Sequence, residues 1–284
     1  MAKIIDGKKI SGEFLEKLGA DVLSLKEKGI VPGLAVIIAG NNSASRVYVR
    51  NKIKICTQLG IHSESYNLPE DVSMPELLEL IGTLNKKESI HGILPQLPLP
   101  SHLDEREVIA AISPKKDVDA FHRENVGAIM IGEYNFLPCT PAGVMELLRA
   151  EGIPAQGKNC VVVGRSNIVG KPMAMLLLHE NATVTICHSK TKDLPAICKT
   201  ADILICAIGK AKFFTGDMIN PGAVVIDVGM NRDENGKLCG DADFSSCEPV
   251  AGYITPVPGG VGPMTIAMLM KNTVTAAARR FAQD

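Results

Sequence analysis

The stretch N-C-V-V-V-G-R-S-N-I-V-G-K-P, residues 159–172, decides the fold of this chain. Its first five residues form a short β-branched run, typical of a buried strand in a parallel sheet. Gly164 then permits a tight turn, and Gly170 lets a backbone or a phosphate approach closely. Pro172 suits a first helical turn, where its missing N–H is no loss. The stretch therefore predicts a strand, a phosphate-binding turn and a helix through Met173–Leu178.

The residues beyond this turn favour NADP as the cofactor. The next predicted strand, Thr183–Cys187, ends where dinucleotide-binding domains place the group that meets the adenine ribose. An NAD site would carry Asp or Glu there, whereas this chain has His188-Ser189-Lys190-Thr191. These donors, with Arg165 from the turn, fit a 2′-phosphate. The glycines do not follow the usual G-x-G-x-x-G spacing, so an ordinary strand-loop-helix corner remains an alternative.

Composition excludes several classes of protein. The chain has 284 residues, of which 46% are hydrophobic, which suits two domains or one large domain. A net charge of −1 provides no global field for nucleic acid or an anionic membrane. Without a signal-peptide core or an apolar run long enough to span a bilayer, we expect a cytoplasmic protein. The 8 cysteines form no C-x-x-C pair, which indicates buried free thiols, and we predict no metal site.

The N-terminal half begins as alternating helices and strands. Apolar residues three or four apart predict a helix over 6–28, followed by a buried strand over 34–39. Residues 40–43 are interpreted as a turn that caps the next helix, which contains Tyr48 and Lys52, and a further helix covers about 74–85. Because Tyr48 and Lys52 are four positions apart, their side chains lie on one helix face. A chance surface pair remains an alternative to a functional one.

Two loops of this half carry polar side chains. A predicted strand over 90–94 leads into Pro-Gln-Leu-Pro-Leu-Pro, residues 95–100. Its prolines stiffen the loop at the carboxyl end of a strand, where α/β sheets bind ligands, so Gln96 would be held in fixed geometry. A plain proline-rich connector remains an alternative. In a later loop, Asp117 and Asp119 stand two residues apart, and composition alone indicates solvated charges.

The C-terminal half alternates strands with helices, which predicts a mostly parallel sheet. Beyond the elements already given, we predict helices over 141–150, 216–220 and 264–281, and strands over 202–209 and 223–229. Residues 240–243, Gly-Asp-Ala-Asp, are interpreted as a polar turn. Glycines 259, 260 and 262 leave bare backbone for close contact with nicotinamide or substrate, with a flexible loop as the alternative.

Six motifs occur along the chain in a fixed order: Tyr48-x-x-x-Lys52, Gln96–Pro100, Lys116–Asp119, Pro138–Gly143, Gly164–Pro172 and Thr255–Thr265. In this order and at these separations they closely resemble the bifunctional methylenetetrahydrofolate dehydrogenase/methenyltetrahydrofolate cyclohydrolase family, along essentially the whole chain. One departure is Ala120, where that family usually has Gly. A methyl group there could alter the dihedral angles of the loop that carries Asp119.

The resemblance implies a two-step enzyme with two α/β domains and a cleft between them. It would oxidise 5,10-methylenetetrahydrofolate with NADP and hydrolyse the 5,10-methenyl product to 10-formyltetrahydrofolate. The implied folate-binding catalytic domain covers 1–140 and 264–284, and the implied NADP-binding Rossmann domain covers 141–263. The resemblance also implies a homodimer.

The resemblance further assigns roles to single residues. Lys52 is the implied central catalytic group, Gln96 its hydrogen-bond partner, Tyr48 a ring against the substrate and Asp119 the pterin anchor. A lysine can deprotonate water only if its pKa falls well below about 10.4, and a cationic methenyl ligand would lower it. Hydride transfer depends instead on positioning. Further implied substrate contacts are Leu97, Pro98, Gly259 and Pro263, and implied cofactor contacts are Thr140, Gly164, Arg165, Ser166, Val169, Gly170, His188 and Ser189.

Three other functions are alternatives to this one. A relative could retain only the NADP-dependent dehydrogenase, and a silent module could bind folate or NADP without catalysis. The presence of Lys52 and Gln96 argues against both. An enzyme like shikimate dehydrogenase would share the two-domain plan, but it would not explain the loop over 95–100.

Overall fold

The computed structural model describes residues 1–41 and 43–281. Contacts divide the chain into two compact units. The six-stranded unit contains Met1–Glu13 and Pro138–Met268, and the three-stranded unit contains Phe14–Leu137 and Leu269–Asp284. Each unit has its own parallel sheet and its own hydrophobic core, so each is described separately.

The helices and strands follow one another in a mixed α/β order. In chain order they are β1 (Lys3–Ile4), α1 (Gly7–Glu27), β2 (Gly33–Ala39), α2 (Ser43–Leu59), β3 (His62–Leu68), α3 (Met74–Lys86), β4 (Gly92–Pro95), α4 (Glu105–Ala111), α5 (Arg123–Ile131), α6 (Cys139–Ala150), β5 (Asn159–Val163), α7 (Gly170–His179), β6 (Thr183–Cys187), α8 (Leu194–Cys198), β7 (Ile203–Cys206), a 3-10 turn (Gly216–Met218), β8 (Val224–Asp227), β9 (Asn231–Arg232), β10 (Leu238–Cys239), α9 (Phe244–Cys247), β11 (Tyr253–Ile254) and α10 (Val261–Phe281).

The six-stranded sheet has the order β1-β11-β8-β7-β5-β6, and every neighbouring pair is parallel. The prediction of a mostly parallel sheet is therefore confirmed. Strand β5 and the next strand, β6, have the predicted bounds. Strand β1 was not predicted; its two residues pair with Tyr253 and Ile254, so this N-terminal segment completes the sheet of the six-stranded unit.

The core of the six-stranded unit explains the apolar runs in its sequence. Residues of β5, β7 and β8, among them Val161, Leu204 and Val225, are 0% exposed. Both faces of the central strands are covered, so these strands read as continuous apolar runs rather than as alternating patterns. Fully burying one such side chain contributes about 1.5–3 kcal/mol. All 8 cysteines are free and 7 of them are buried, as the sequence indicated.

The three-stranded sheet has the order β3-β2-β4, and both pairs are parallel. Every residue of its central strand, β2, is buried. Strand β3 lies at an edge and alternates between exposed and half-buried residues, so its sequence, HSESYNL, gave no apolar run to predict it. Helix α3 has the expected bounds within one residue, and its Ser73 and Glu76 form a capping box.

Some predicted boundaries differ from the structure. Helix α10 begins at Val261 rather than at 264, so Pro263 lies within its first turn. A cap was expected for α2 within residues 40–43, and Asn42 of that segment lies outside the described residues. Helices α4 and α5 were not predicted. Among the helices described, none is long and apolar enough to cross a membrane.

Candidate functional site

In the three-stranded unit, the structure brings Lys52 and Gln96 together. Lys52 Nζ on α2 donates to Gln96 Oε1 at 2.9 Å, across 44 positions of sequence. The Gln96 amide is fixed on its other side, because Nε2 donates to the Leu97 carbonyl at 2.8 Å. Its backbone N–H donates to the Ile37 carbonyl, also at 2.8 Å. The amide oxygen of Gln96 is therefore held toward the lysine, beside the strand end where the sequence predicted it.

Two other side chains of α2 flank this lysine. Tyr48, one turn earlier, is partly buried, and burial raises the pKa of its hydroxyl, so it remains a neutral phenol. Cys56, one turn later, is fully buried, and desolvation raises the pKa of its thiol to about 12. A protonated thiol is a poor nucleophile. Of these three side chains, Lys52 therefore carries the basic group.

The loop that carries Asp119 is anchored by buried charges. Lys116 is 8% exposed, and its Nζ donates to two carbonyls at the C-terminal end of α3, at 2.9 and 2.8 Å. Asp117 is 3% exposed and accepts from His122 N at 2.7 Å and Asn125 Nδ2 at 2.8 Å. The interpretation of Asp117 as a solvated charge is therefore wrong. Burial raises the pKa of Asp117, while these two donors favour its carboxylate.

Asp119 itself stands between two fixed residues. The carbonyl of Val118 accepts from Asn272 Nδ2 of α10 at 2.7 Å, and Ala120 N donates to the Asp117 carbonyl at 3.1 Å. Ala120 is buried and has a φ of +57°, a left-handed conformation that costs a non-glycine residue about 1–2 kcal/mol. The loop thus holds, with alanine, a backbone conformation natural to glycine. Asp119 itself is partly exposed, between two residues whose backbone is held by these hydrogen bonds.

In the six-stranded unit, the predicted phosphate-binding turn is tightly closed. Gly164 has a φ of +141°, and a Cβ atom at Gly170 would collide with the Gly164 carbonyl. Ser166 Oγ accepts from Val169 N at 3.1 Å and Gly170 N at 3.2 Å, which caps the start of α7. A hydroxyl that accepts two hydrogen bonds still has its own proton to donate. Ser166 and Arg165 are exposed, so both can face a phosphate.

The end of β6 offers further hydrogen-bond donors. His188 N donates to Thr191 Oγ1 at 2.8 Å, which closes the turn after the strand. His188 Nδ1 accepts from Lys190 N at 3.1 Å, so in the neutral ring the proton lies on Nε2. Ser189 and Lys190 are exposed. This strand end therefore carries an imidazole N–H, a hydroxyl and an ammonium group.

The glycine loop before α10 is supported by the start of α1. Gly259 has a φ of +114°, and its carbonyl accepts from Lys8 N at 3.1 Å. A Cβ atom at Gly7 would collide with the carbonyl of Gly260. The two segments therefore lie backbone to backbone. The alternative of a flexible loop does not fit this packing.

Thr140 lies at the start of α6, against the start of α10. Its Oγ1 is 3.1 Å from Thr265 Oγ1, and either hydroxyl can be the donor. Pro263 is partly exposed in the same turn of α10. A Cβ atom at Gly143 would lie 3.0 Å from the Met264 Cβ, so glycine permits the close approach of these two helices. The structure thus groups Thr140 with the glycine-rich loop.

One cluster of buried carboxylates in this unit was not expected from the sequence. The interpretation of residues 240–243 as a polar turn is wrong for Asp241, which is 0% exposed. It accepts hydrogen bonds from four N–H donors, described below. Glycines at positions 229 and 240 were the available signal, because both lie against buried carboxylates. Within the described residues, no group of three or more His, Cys, Asp or Glu side chains is placed to hold a metal ion.

Comparison with known proteins agrees with this geometry in both parts of the chain. Residues 5–119 match the family model for the catalytic domain of tetrahydrofolate dehydrogenase/cyclohydrolase. Residues 138–281 match the model for its NAD(P)-binding domain. "Bifunctional protein FolD" of Acetivibrio thermocellus is 62% identical over 276 residues, covering 97% of each chain.

Solved structures agree as well. The bifunctional FolD dehydrogenase/cyclohydrolase of Campylobacter jejuni matches with a TM-score of 0.96 and 50% identity, over 99% of this chain and 100% of that one. The Trypanosoma brucei enzyme, solved with NADP cofactor and an inhibitor, matches with a TM-score of 0.94 and 41% identity, over 99% and 98% of the two chains. With both of its domain models matched and relatives similar along their whole length, this chain belongs to the tetrahydrofolate dehydrogenase/cyclohydrolase family.

Proposed function

We propose that Lys52, held by Gln96, is the central catalytic group of this chain. The chain is a bifunctional folate enzyme: it oxidises 5,10-methylenetetrahydrofolate with NADP and hydrolyses the 5,10-methenyl product to 10-formyltetrahydrofolate. The observation that supports the role of Lys52 is its 2.9 Å hydrogen bond to an amide whose orientation is fixed on both sides.

The hydrolysis requires a base for the attacking water. A neutral Lys52 that donates one N–H to Gln96 Oε1 still has its lone pair to accept a proton. As water attacks the methenyl carbon, its O–H proton passes to Nζ and a C–O bond forms. Nζ then gives this proton to N5 as the C–N5 bond breaks, and the remaining proton of the attacking water leaves to solvent as its oxygen becomes the formyl carbonyl on N10. Gln96 suits this cycle because a neutral amide orients the amine and adds no negative charge, which would favour the ammonium form more strongly.

Hydride transfer makes different demands on the chain. NADP, when bound, accepts the hydride, and nitrogen lone pairs of the substrate stabilise the cationic product. No proton leaves in this step, so the residues act by positioning. Asp119 can bind the amino group and ring N–H of a pterin with two charge-assisted hydrogen bonds. We propose that the Tyr48 ring packs on the aminobenzoyl part of the substrate, and that Leu97 and Pro98 line the same site.

We also propose that the turn over 164–170 binds NADP in preference to NAD. Phosphate oxygens can approach the glycine backbone of this turn closely, and the Ser166 hydroxyl can donate a hydrogen bond to them. Arg165, His188 and Ser189 are then available to bind the 2′-phosphate of NADP. A site for NAD would instead carry a carboxylate that accepts from the ribose 2′-hydroxyl. The expected result is a kcat/KM at least about tenfold higher with NADP than with NAD, corresponding to about 1.4 kcal/mol. Equal values would contradict the preference.

Further substrate and cofactor contacts remain proposals. Gly259 and Pro263 are proposed to contact the substrate or nicotinamide, and Thr140 and Val169 the cofactor. We further infer that the protein is a cytoplasmic homodimer, on the grounds of its family resemblance and free cysteines. Light scattering coupled to size-exclusion chromatography tests the dimer, and a monomer at micromolar concentration would contradict it.

The decisive experiment is a paired assay of Lys52→Met, which keeps an unbranched stem of four heavy atoms and removes the amine. We expect loss of cyclohydrolase activity by at least about a hundredfold, the range typical of a general base. NADP-dependent oxidation and the decay of methenyltetrahydrofolate absorbance are measured separately. Lys54→Met, an exposed lysine on the same helix, is the matched control and should retain both activities.

Two outcomes would contradict the proposal. Unchanged hydrolysis in Lys52→Met would exclude Lys52 as the base. A wild-type protein that oxidises its substrate but does not hydrolyse methenyltetrahydrofolate would instead be a monofunctional dehydrogenase. Ala120 would then be the first residue to revert to glycine.

A further inference from the structure

Two buried carboxylates that the mechanism above does not use lie in the six-stranded unit. Asp241 is 0% exposed, and Asp227, the last residue of β8, is 3% exposed. Burial of a carboxylate is costly unless hydrogen bonds replace its water. The donors that face these two side chains therefore indicate what they hold in place.

Asp241 binds three consecutive backbone N–H groups. Its Oδ2 accepts from Ile208 at 2.6 Å and Gly209 at 3.0 Å, and its Oδ1 accepts from Lys210 at 2.9 Å. A fourth donor, Asn231 Nδ2, lies 2.8 Å from Oδ1. An ionised carboxylate is acceptor-only, so it can satisfy all four donors at once. The backbone over residues 208–210 is thereby fixed from one side.

Asp227 in turn fixes the backbone that carries Asp241. Its Oδ1 accepts from Asp241 N and Gly229 N, both at 2.9 Å, and its Oδ2 accepts from Ala242 N at 2.8 Å. A Cβ atom at Gly240 would collide with the Asp227 carboxylate, and one at Gly229 with the Asp241 carboxylate. The two glycines make room for the carboxylates. The whole cluster is therefore built to hold residues 208–210.

The segment held in this way borders the phosphate-binding turn. It follows β7, which pairs with β5, the strand that ends at Gly164. The chain passes from β5 to β6 on one side and then to β7 on the other, so the ends of β5 and β7 form the switch point where such sheets bind ligands. A Cβ atom at Gly164 would collide with the Ala207 carbonyl, so the two loops lie in direct contact.

The centre of the segment is bare backbone that faces open space. Gly209 has a φ of +67°, which favours glycine. A Cβ atom there would meet no described atom within 4 Å. The N–H groups of the segment point to Asp241, and its open side lies at the ligand edge of the sheet. A dinucleotide can approach such a backbone closely.

We propose that Asp241 is a positioning residue for the cofactor: it holds residues 208–210 in the conformation against which NADP binds. The inference rests on the proposed function, because it needs NADP at this edge of the sheet. It assigns Asp241 to cofactor binding alone. Loss of its carboxylate should therefore separate the two activities of the enzyme, since the hydrolysis uses no NADP.

The test is Asp241→Asn, which turns one acceptor oxygen into an NH₂ group that faces backbone donors. The dissociation constant of NADP, measured by calorimetry, is expected to rise at least about tenfold, and the KM for NADP with it. The cyclohydrolase rate, measured without NADP, is expected to stay within about twofold. Asp243→Asn, the same change at a partly exposed side chain two residues later, is the matched control and should alter neither value.

NADP binding by the wild type is measured first, and its absence would overturn the proposed function itself. With binding established, an unchanged dissociation constant in Asp241→Asn would overturn the positioning role. An equal loss of both activities would overturn it too, because that result indicates a general structural role. If Asp241→Asn does not fold, Asn231→Ala removes only one of the four donors. An increase of about threefold in its NADP dissociation constant supports the proposal, and no increase refutes it.

Discussion

The pairing of Lys52 with a neutral amide leads to a sharp prediction for Gln96→Glu. The variant has the same shape but places a carboxylate 2.9 Å from the lysine amine. An opposite charge this close favours the charged ammonium and raises a lysine pKa by about 1–3 units. Both side chains are partly exposed, so solvent screening favours the lower part of that range. We expect the pKa of the base to rise by about one to two units.

The consequence differs between the two reactions. Below its pKa, each unit of increase lowers the neutral fraction of a base tenfold, so hydrolysis at pH 7 should fall about 10- to 100-fold. Its pH–rate profile should move to higher pH by about one to two units. Oxidation of methylenetetrahydrofolate removes no proton by way of Lys52, so it should change by less than about threefold.

The assay follows the decay of methenyltetrahydrofolate absorbance from pH 6 to 9, beside NADP reduction by methylenetetrahydrofolate. Gln58→Glu adds the same charge at an exposed position of α2 and should leave the profile unmoved. A cyclohydrolase profile that does not move in Gln96→Glu would refute the reasoning, even if the rate falls. Lys52 would then not be the group whose protonation limits the hydrolysis.

Three further predictions test other parts of the structure. Gly170→Ala should weaken NADP binding at least about tenfold, because its Cβ would collide with the Gly164 carbonyl. Gly12→Ala, whose Cβ would meet nothing within 4 Å, is the control and should not weaken binding. Calorimetry measures the NADP dissociation constant of both variants. Burial raises the pKa of Asp227 to about 6, above the unfolded value near 3.8, so its contribution to stability is present below pH 3.8 and lost as pH rises through 6. Relative to Asp227→Asn, the wild type should lose about 1.4 kcal/mol of unfolding free energy between pH 5 and 7.5, and a flat difference in urea denaturation would contradict this. Ala120→Val should lower the free energy of unfolding by about 2 kcal/mol or more, because residue 120 has a φ of +57°. Ala120→Gly should stay within about 1 kcal/mol of the wild type in the same assay, because relief of the left-handed conformation offsets the lost buried methyl and the more flexible unfolded chain. Equal effects of the two substitutions would contradict the claim that the backbone at residue 120 is strained.

Most of the parallel-sheet architecture could be predicted from local patterns. Strands β2, β5, β7 and β8 are buried on both faces, so each is a short apolar run that stands out in the sequence. The edge strand β3 could not be found in this way, because its polar side chains face solvent. Strand β1 has only two residues, and its pairing with β11 spans nearly the whole chain. Such pairing depends on distant residues that no local window contains.

The site was predicted less completely than the fold. Local patterns placed Gln96 in a stiff loop at a strand end, but its hydrogen bond to Lys52 joins residues 44 positions apart and was implied by the family resemblance alone. Asp117 was interpreted as a solvated charge and Asp241 as part of a polar turn, because aspartates are rarely buried. The structure buries both and surrounds each with N–H donors.

By itself, the sequence determined the alternation of strands and helices, the glycine turn after β5 and the donor-rich end of β6. Backbone sterics and hydrophobic periodicity act within a few residues, so a single chain records them directly. Only the tertiary structure decided which carboxylates are buried and what they bind: Asp117 accepts from His122 and Asn125, and Asp241 accepts from the backbone of residues 208–210. The physical reason is that a buried polar group must be satisfied by whichever donors the fold brings to it, and these come from distant parts of the chain.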